Sequence, residues 1–81
     1  MEQHIRKNKK IGQLIRKARE DKGFTQSDMA AKMQLLGWKL QRNTYAKIEL
    51  GNRHISLSEL QMISHILQID YNKLLGYCEL A

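Results

Sequence analysis

Two runs, Thr25 to Ala31 and Thr44 to Arg53, constrain this chain more than any other feature. Thr25 is a good helix N-cap, and Asp28 three residues later gives a capping-box spacing with Asp in place of the usual Glu. Met29, Ala30 and Met33, continued by Leu36, form an apolar stripe, and Ala30-Ala31 offers small residues where another helix can cross. The second run carries Tyr45 and Ile48 at helical spacing, with polar and basic residues on its other side and a stop at Gly51. The pattern is two short helices packed at an angle, with the polar face of the second left outward.

The rest of the chain supplies what these two helices need to pack against. Ile11, Leu14, Ile15 and Ala18 fall at helical spacing, with Arg16, Lys17 and Glu20 on the opposite side. Gly23 is placed to end that helix, and Phe24 to fold back onto it. Gly37-Trp38-Lys39-Leu40 reads as a turn, so the third helix runs from Gln41 or Arg42 to Leu50. Ser56 and Glu59 form a second capping box, opening a helix whose Leu57, Leu60, Ile63 and Leu67 face inward. Asp70 caps a last short helix carrying Tyr71, Leu74 and Leu75, closed by Gly76. No strand-period segment or internal repeat is present, so the expected fold is all-α, with five helices and no sheet. Residues 1–10 read as a basic arm, 11–76 as the folded domain and 77–81 as a short tail.

Eighty-one residues make one small domain with a single core, too small to add a ligand-sensing domain. A hydrophobic fraction of 42% suits a globular chain, and the lack of proline fits helices joined by short turns. Cys78 has no partner for an internal disulfide, which makes a reducing cytoplasm the simplest setting and a small apolar filler its simplest role. No apolar run at the N-terminus suggests a signal peptide or membrane span. The charge is uneven: residues 1–53 hold thirteen of the fourteen Lys and Arg against five acids, a balance of +8. From His54 onward Lys73 alone opposes Glu59, Asp70 and Glu79, a balance of −2. Such asymmetry fits a basic surface facing a polyanion.

Residue types on the third helix narrow that polyanion. Gln41, Arg42, Asn43 and Lys47 point away from the Tyr45/Ile48 face. Arg fits guanine, Asn and Gln fit adenine, and Lys reaches guanine or a phosphate. A solvated helix face is the plain alternative, and the two-helix context weighs against it. Gln26 stands in the first turn of its helix, where free N–H groups and the dipole favour an anion. Asn52 and Arg53 lie on the loop where a DNA strand would pass, and Lys7, Lys9 and Lys10 can add attraction from the arm. Glu49, the odd acid of a basic region, has Arg19 as its expected partner in a buried pair that fixes the angle between helices. His4, His54 and His65 are scattered, with no ligand spacing for a metal. No catalytic set or phosphate loop can be assembled from local spacing, so neither metal, cofactor nor enzymatic activity is expected.

These residues resemble the Cro and phage-repressor type of helix-turn-helix regulator, the XRE family. The resemblance runs from about Ile11 to Gly76. It rests on Ile11-Gly12-Gln13-Leu14-Ile15-Arg16 with Arg19, on Phe24-Thr25-Gln26 with Met29-Ala30 and Met33, on Thr44 through Arg53, and on Leu67-Gln68-Ile69-Asp70. It implies a compact, lambda-repressor-like five-helix domain that binds double-stranded DNA, usually as a homodimer on a palindromic operator. It further implies base reading by Gln41, Arg42, Asn43 and Lys47, phosphate contacts by Gln26, Thr44, Asn52 and Arg53, and the Arg19–Glu49 pair. The departure is the turn: Gln34 to Leu40 is several residues longer than usual, and Gln41 is a mediocre N-cap. Trp38 can pack under that turn, rest on the sugar-phosphate backbone or face a partner; packing is the expectation. The expected function is a cytoplasmic, nucleoid-associated transcription regulator, acting as a repressor. The alternative is a protein-interaction or antitoxin-like module whose apolar end, with Tyr71, Tyr77 and Leu80, meets a partner protein.

Overall fold

The computed structural model describes the backbone of His4–Ile5 and all of residues 9–77. Cys78, Leu80 and Lys7, considered above, lie outside the described residues. Five helices follow in order: α1 (Lys9–Asp21), α2 (Gln26–Leu35), α3 (Arg42–Leu50), α4 (Leu57–Leu67) and α5 (Tyr71–Leu75). The all-α expectation therefore holds, with one small addition. β1 (His4–Ile5) pairs antiparallel with β2 (Ile55–Ser56), His4 opposite Ser56 and Ile5 opposite Ile55. A two-residue ladder is too short to leave a period-two pattern in sequence. The first helix also begins at Lys9, inside the segment read as arm.

Each boundary has a local cause. The Thr25 hydroxyl accepts from the Asp28 N–H while the Asp28 carboxylate accepts from the Thr25 N–H, closing the capping box on α2. The Thr25 N–H, with the Thr25 hydroxyl beside it, holds the exposed Asp28 carboxyl below its usual pKa. Ser56 and Glu59 do the same for α4, and the Asp70 carboxylate accepts from the Asn72 N–H to open α5. Helix α2 ends in a Schellman arrangement: the Gly37 N–H bonds the Gln34 carbonyl and the Trp38 N–H bonds that of Met33. Gly37 has φ +89°, a left-handed conformation open to glycine at little steric cost.

The core joins Ile11 and Ile15 of α1, Met29 and Met33 of α2, Tyr45 and Ile48 of α3, and Leu60, Ile63 and Leu67 of α4, with Leu74 of α5 below them. Two expectations for α2 are corrected. Leu36 is 49% exposed, because the helix has ended at Leu35 and the chain turns away through Gly37. Leu40 from the turn fills the core instead, at 2% exposure. Of the two alanines only Ala30 is buried; Ala31 lies on the exposed side of α2.

The tightest helix approach is elsewhere, at Gly12. A Cβ built there would collide with the backbone carbonyls of Ile48 and Glu49, so α1 lies directly against the end of α3, with no side chain between them. Gly12 is the one residue type that lets α3 seat this deeply.

Candidate nucleic-acid interface

Helix α3 is fixed from beneath. Tyr45 and Ile48 are wholly buried, and at helical spacing this turns Arg42, Asn43 and Lys47 outward, where all three are exposed. Gln41 precedes them as N-cap, exposed and without a capping bond from its side chain. Thr44 is half-buried, and Asn52 is exposed just beyond Gly51, whose φ of +73° turns the chain out of the helix. Among the described residues, no carboxylate pairs with Arg42 or Lys47.

The C-terminal end of α3 is held through Glu49. Arg19 Nε donates to Glu49 Oε2 at 2.7 Å and Arg19 Nη2 donates to Oε1 at 3.2 Å, a side-on bidentate pair. The two side chains are 11% and 2% exposed. Arg19 Nη1 also donates to the Phe24 carbonyl at 2.8 Å, tying the pair to the link between α1 and α2. Gln26 adds a third strand to this knot, its Nε2 donating to Glu49 Oε1 at 3.1 Å. One of the two amide protons of Gln26 is thus spent inside the protein.

These bonds decide the charge state of the site. Burial acts to raise the Glu49 pKa, but the hydrogen bonds from Arg19 and Gln26, with the Tyr45 hydroxyl close by, outweigh it and hold the carboxyl below its usual value. The hydrogen bond to Glu49 pushes Arg19 above its usual value. Burial, with the Glu49 carboxylate beside it, raises the Tyr45 phenol, whose buried oxygen has no partner in good hydrogen-bonding geometry.

A second carboxylate, Glu59, grips both flanks of α3. Its Oε2 accepts from Trp38 Nε1 at 2.9 Å, on the turn before the helix. Both its oxygens accept from Arg53 Nη1 at 2.9 Å, on the loop after the helix, and Oε1 also accepts from the Ser56 N–H at 3.0 Å. Burial works to raise its pKa; Arg53, Ser56 and Trp38 together bring it below the usual value. Trp38 therefore packs under the turn, with its indole nitrogen anchored. Arg53 meets Glu59 through Nη1, so the carboxylate leaves Nε and Nη2 unused, and its side chain is 32% exposed.

Sequence reading paired Arg19 with Glu49 and Ser56 with Glu59. It missed the Gln26 bond to Glu49 and the Trp38–Glu59–Arg53 bridge. The capping box gave a hint of the second, since it buries the Glu59 carboxylate and so demands a cation nearby. Of the arm cations, Lys10 is turned over the Tyr77 ring, 5.2 Å from its centroid.

Among the described residues no group of three His, Cys, Asp or Glu could hold a metal ion, and no helix is long and apolar enough to cross a membrane. A search of curated proteins finds no match. A solved structure, the restriction-modification controller protein C.AhdI from Aeromonas hydrophila, is similar with a TM-score of 0.68 and 29% identity, over 80% of this chain and 87% of that one. The helix-turn-helix family model matches residues 15–74, which span α2, the long turn and α3 together with the helices that support them. The chain belongs to the XRE-type helix-turn-helix family of DNA-binding transcription regulators.

Proposed function

We propose that this chain binds double-stranded DNA site-specifically as a homodimer on a palindromic operator and acts as a repressor. One observation carries the reading: Arg42, Asn43 and Lys47 stand exposed on a helix whose opposite face is wholly buried. With α3 in the major groove, these residues and Gln41 read base edges. Gln26 by its spare amide proton, Thr44, Asn52 and the free edge of Arg53 meet phosphates. In a dimer the two α3 helices would stand about 34 Å apart, one turn of DNA.

The likeness to a restriction-modification controller protein supports a narrower version, in which the regulated genes encode a restriction-modification pair. Selection of bound fragments from the source genome tests it directly.

The core test is a gel shift across salt. Affinity for a selected duplex is expected to fall roughly a thousandfold or more between 50 and 200 mM salt if six or more phosphates are contacted. Arg42→Ala with Lys47→Ala is expected to abolish site selection with the fold intact. A flat salt response favours the protein-interaction alternative instead, and a double variant that still selects the same site overturns the assignment of Arg42 and Lys47 as reading residues.

A further inference from the structure

Resting on the DNA-binding reading above, we infer that the lengthened turn between α2 and α3 is itself a DNA-backbone contact, with Lys39 as its phosphate-binding group. The turn is long but it is not loose. Trp38 is fixed to Glu59, Leu40 is buried in the core, and Gln34 Nε2 donates to the Leu40 carbonyl at 2.7 Å. Lys39 is the one residue between these two anchors, on a segment that is neither helix nor strand. Trp38 and Leu40 point inward, and Lys39 is left exposed between them.

Its position places it beside the reading helix. Lys39 and Gln41 line one groove of about 410 Å³ together with Gln34 and Gly37, and Gln41 is the N-cap of α3. Among the described residues no carboxylate pairs with Lys39. An unpaired ammonium on a short, doubly anchored tether loses less freedom on meeting an anion than one on a mobile loop. The groove's lining holds the Trp38 side chain and the Gln34 and Gln41 amides and no carboxylate, so it offers an anion hydrogen-bonding groups and no rival negative charge. The ligand that fits is a phosphodiester of the strand flanking the bases read by α3. A phosphate contact positions the protein without adding sequence preference.

The test compares salt dependence on two probes, a duplex selected from a random pool and a random duplex of equal length. Lys39→Ala is expected to lower the slope of log K against log salt by about 0.9 on both probes, one phosphate's worth. Lys39→Arg, which keeps the charge, is expected to restore the parent slope. Trp38→Phe keeps the ring but removes the N–H that anchors the turn, and is expected to weaken the Lys39 contribution while site selection survives. An unchanged slope for Lys39→Ala overturns the inference and leaves the DNA-binding reading standing. A loss confined to the selected duplex overturns it too, since that would be base reading. A parent chain that binds neither probe removes both.

Discussion

Glu49 and Glu59 are both buried carboxylates beside α3, yet they do different work. Glu49 is held by a bidentate, almost fully enclosed arginine and fixes the end of α3 to α1 and to the start of α2. Glu59 meets its arginine through a single nitrogen on a third-exposed side chain, and spends its other bonds on an indole and a backbone amide. One junction sets the angle of the helix; the other clasps the segments before and after it. Enclosure, more than the number of bonds, should decide which junction costs more to break.

The largest expected effect is at the enclosed junction. Arg19→Met strands a buried carboxylate and is expected to lose about 3–5 kcal/mol of stability in urea unfolding. Gly12→Ala, which forces a methyl into the backbone of the same junction, is expected to cost about 1–3 kcal/mol. Glu59→Gln keeps one oxygen, which can accept from Trp38 or from Ser56 but not from both as now, and it releases a partly solvated arginine, so a loss of about 1–3 kcal/mol is expected. If Glu59→Gln proves as damaging as Arg19→Met, the distinction between the two junctions collapses.

Acid sharpens the comparison further. Both carboxyls titrate below their usual range when folded, so near pH 4 the unfolded chain binds more protons than the folded one. Their contribution is complete above the unfolded pKa and is lost as pH falls through the folded values. Melting followed from pH 7 to pH 3 is expected to show stability falling with acid. In Arg19→Met the part of that fall due to Glu49 should vanish. A parent chain whose melting temperature is level over this range contradicts the assignment of charge to either group.

Much of this was readable before any coordinates, and the reasons are local. Capping boxes, glycine stops and helical spacing act within a few residues, so Thr25–Asp28, Ser56–Glu59 and the Tyr45/Ile48 face could be read directly. The Arg19–Glu49 pair spans thirty positions but could be guessed because a lone acid in a basic region needs a cation. The fate of the long turn could not be read. Whether Leu36 or Leu40 would fill the core depended on where α2 stopped, and whether Trp38 would reach Glu59 depended on the path of the turn. Gly12 was similarly silent, since a glycine inside a helical pattern does not reveal what backbone lies against it.

That bare contact at Gly12 has an evolutionary consequence. With main chain resting on main chain, there is no side chain at this point whose exchange could tilt α3 to a new angle. On the DNA-binding reading proposed above, a change of target site would come by replacing the groups that α3 displays, one at a time, on a seat that stays where it is.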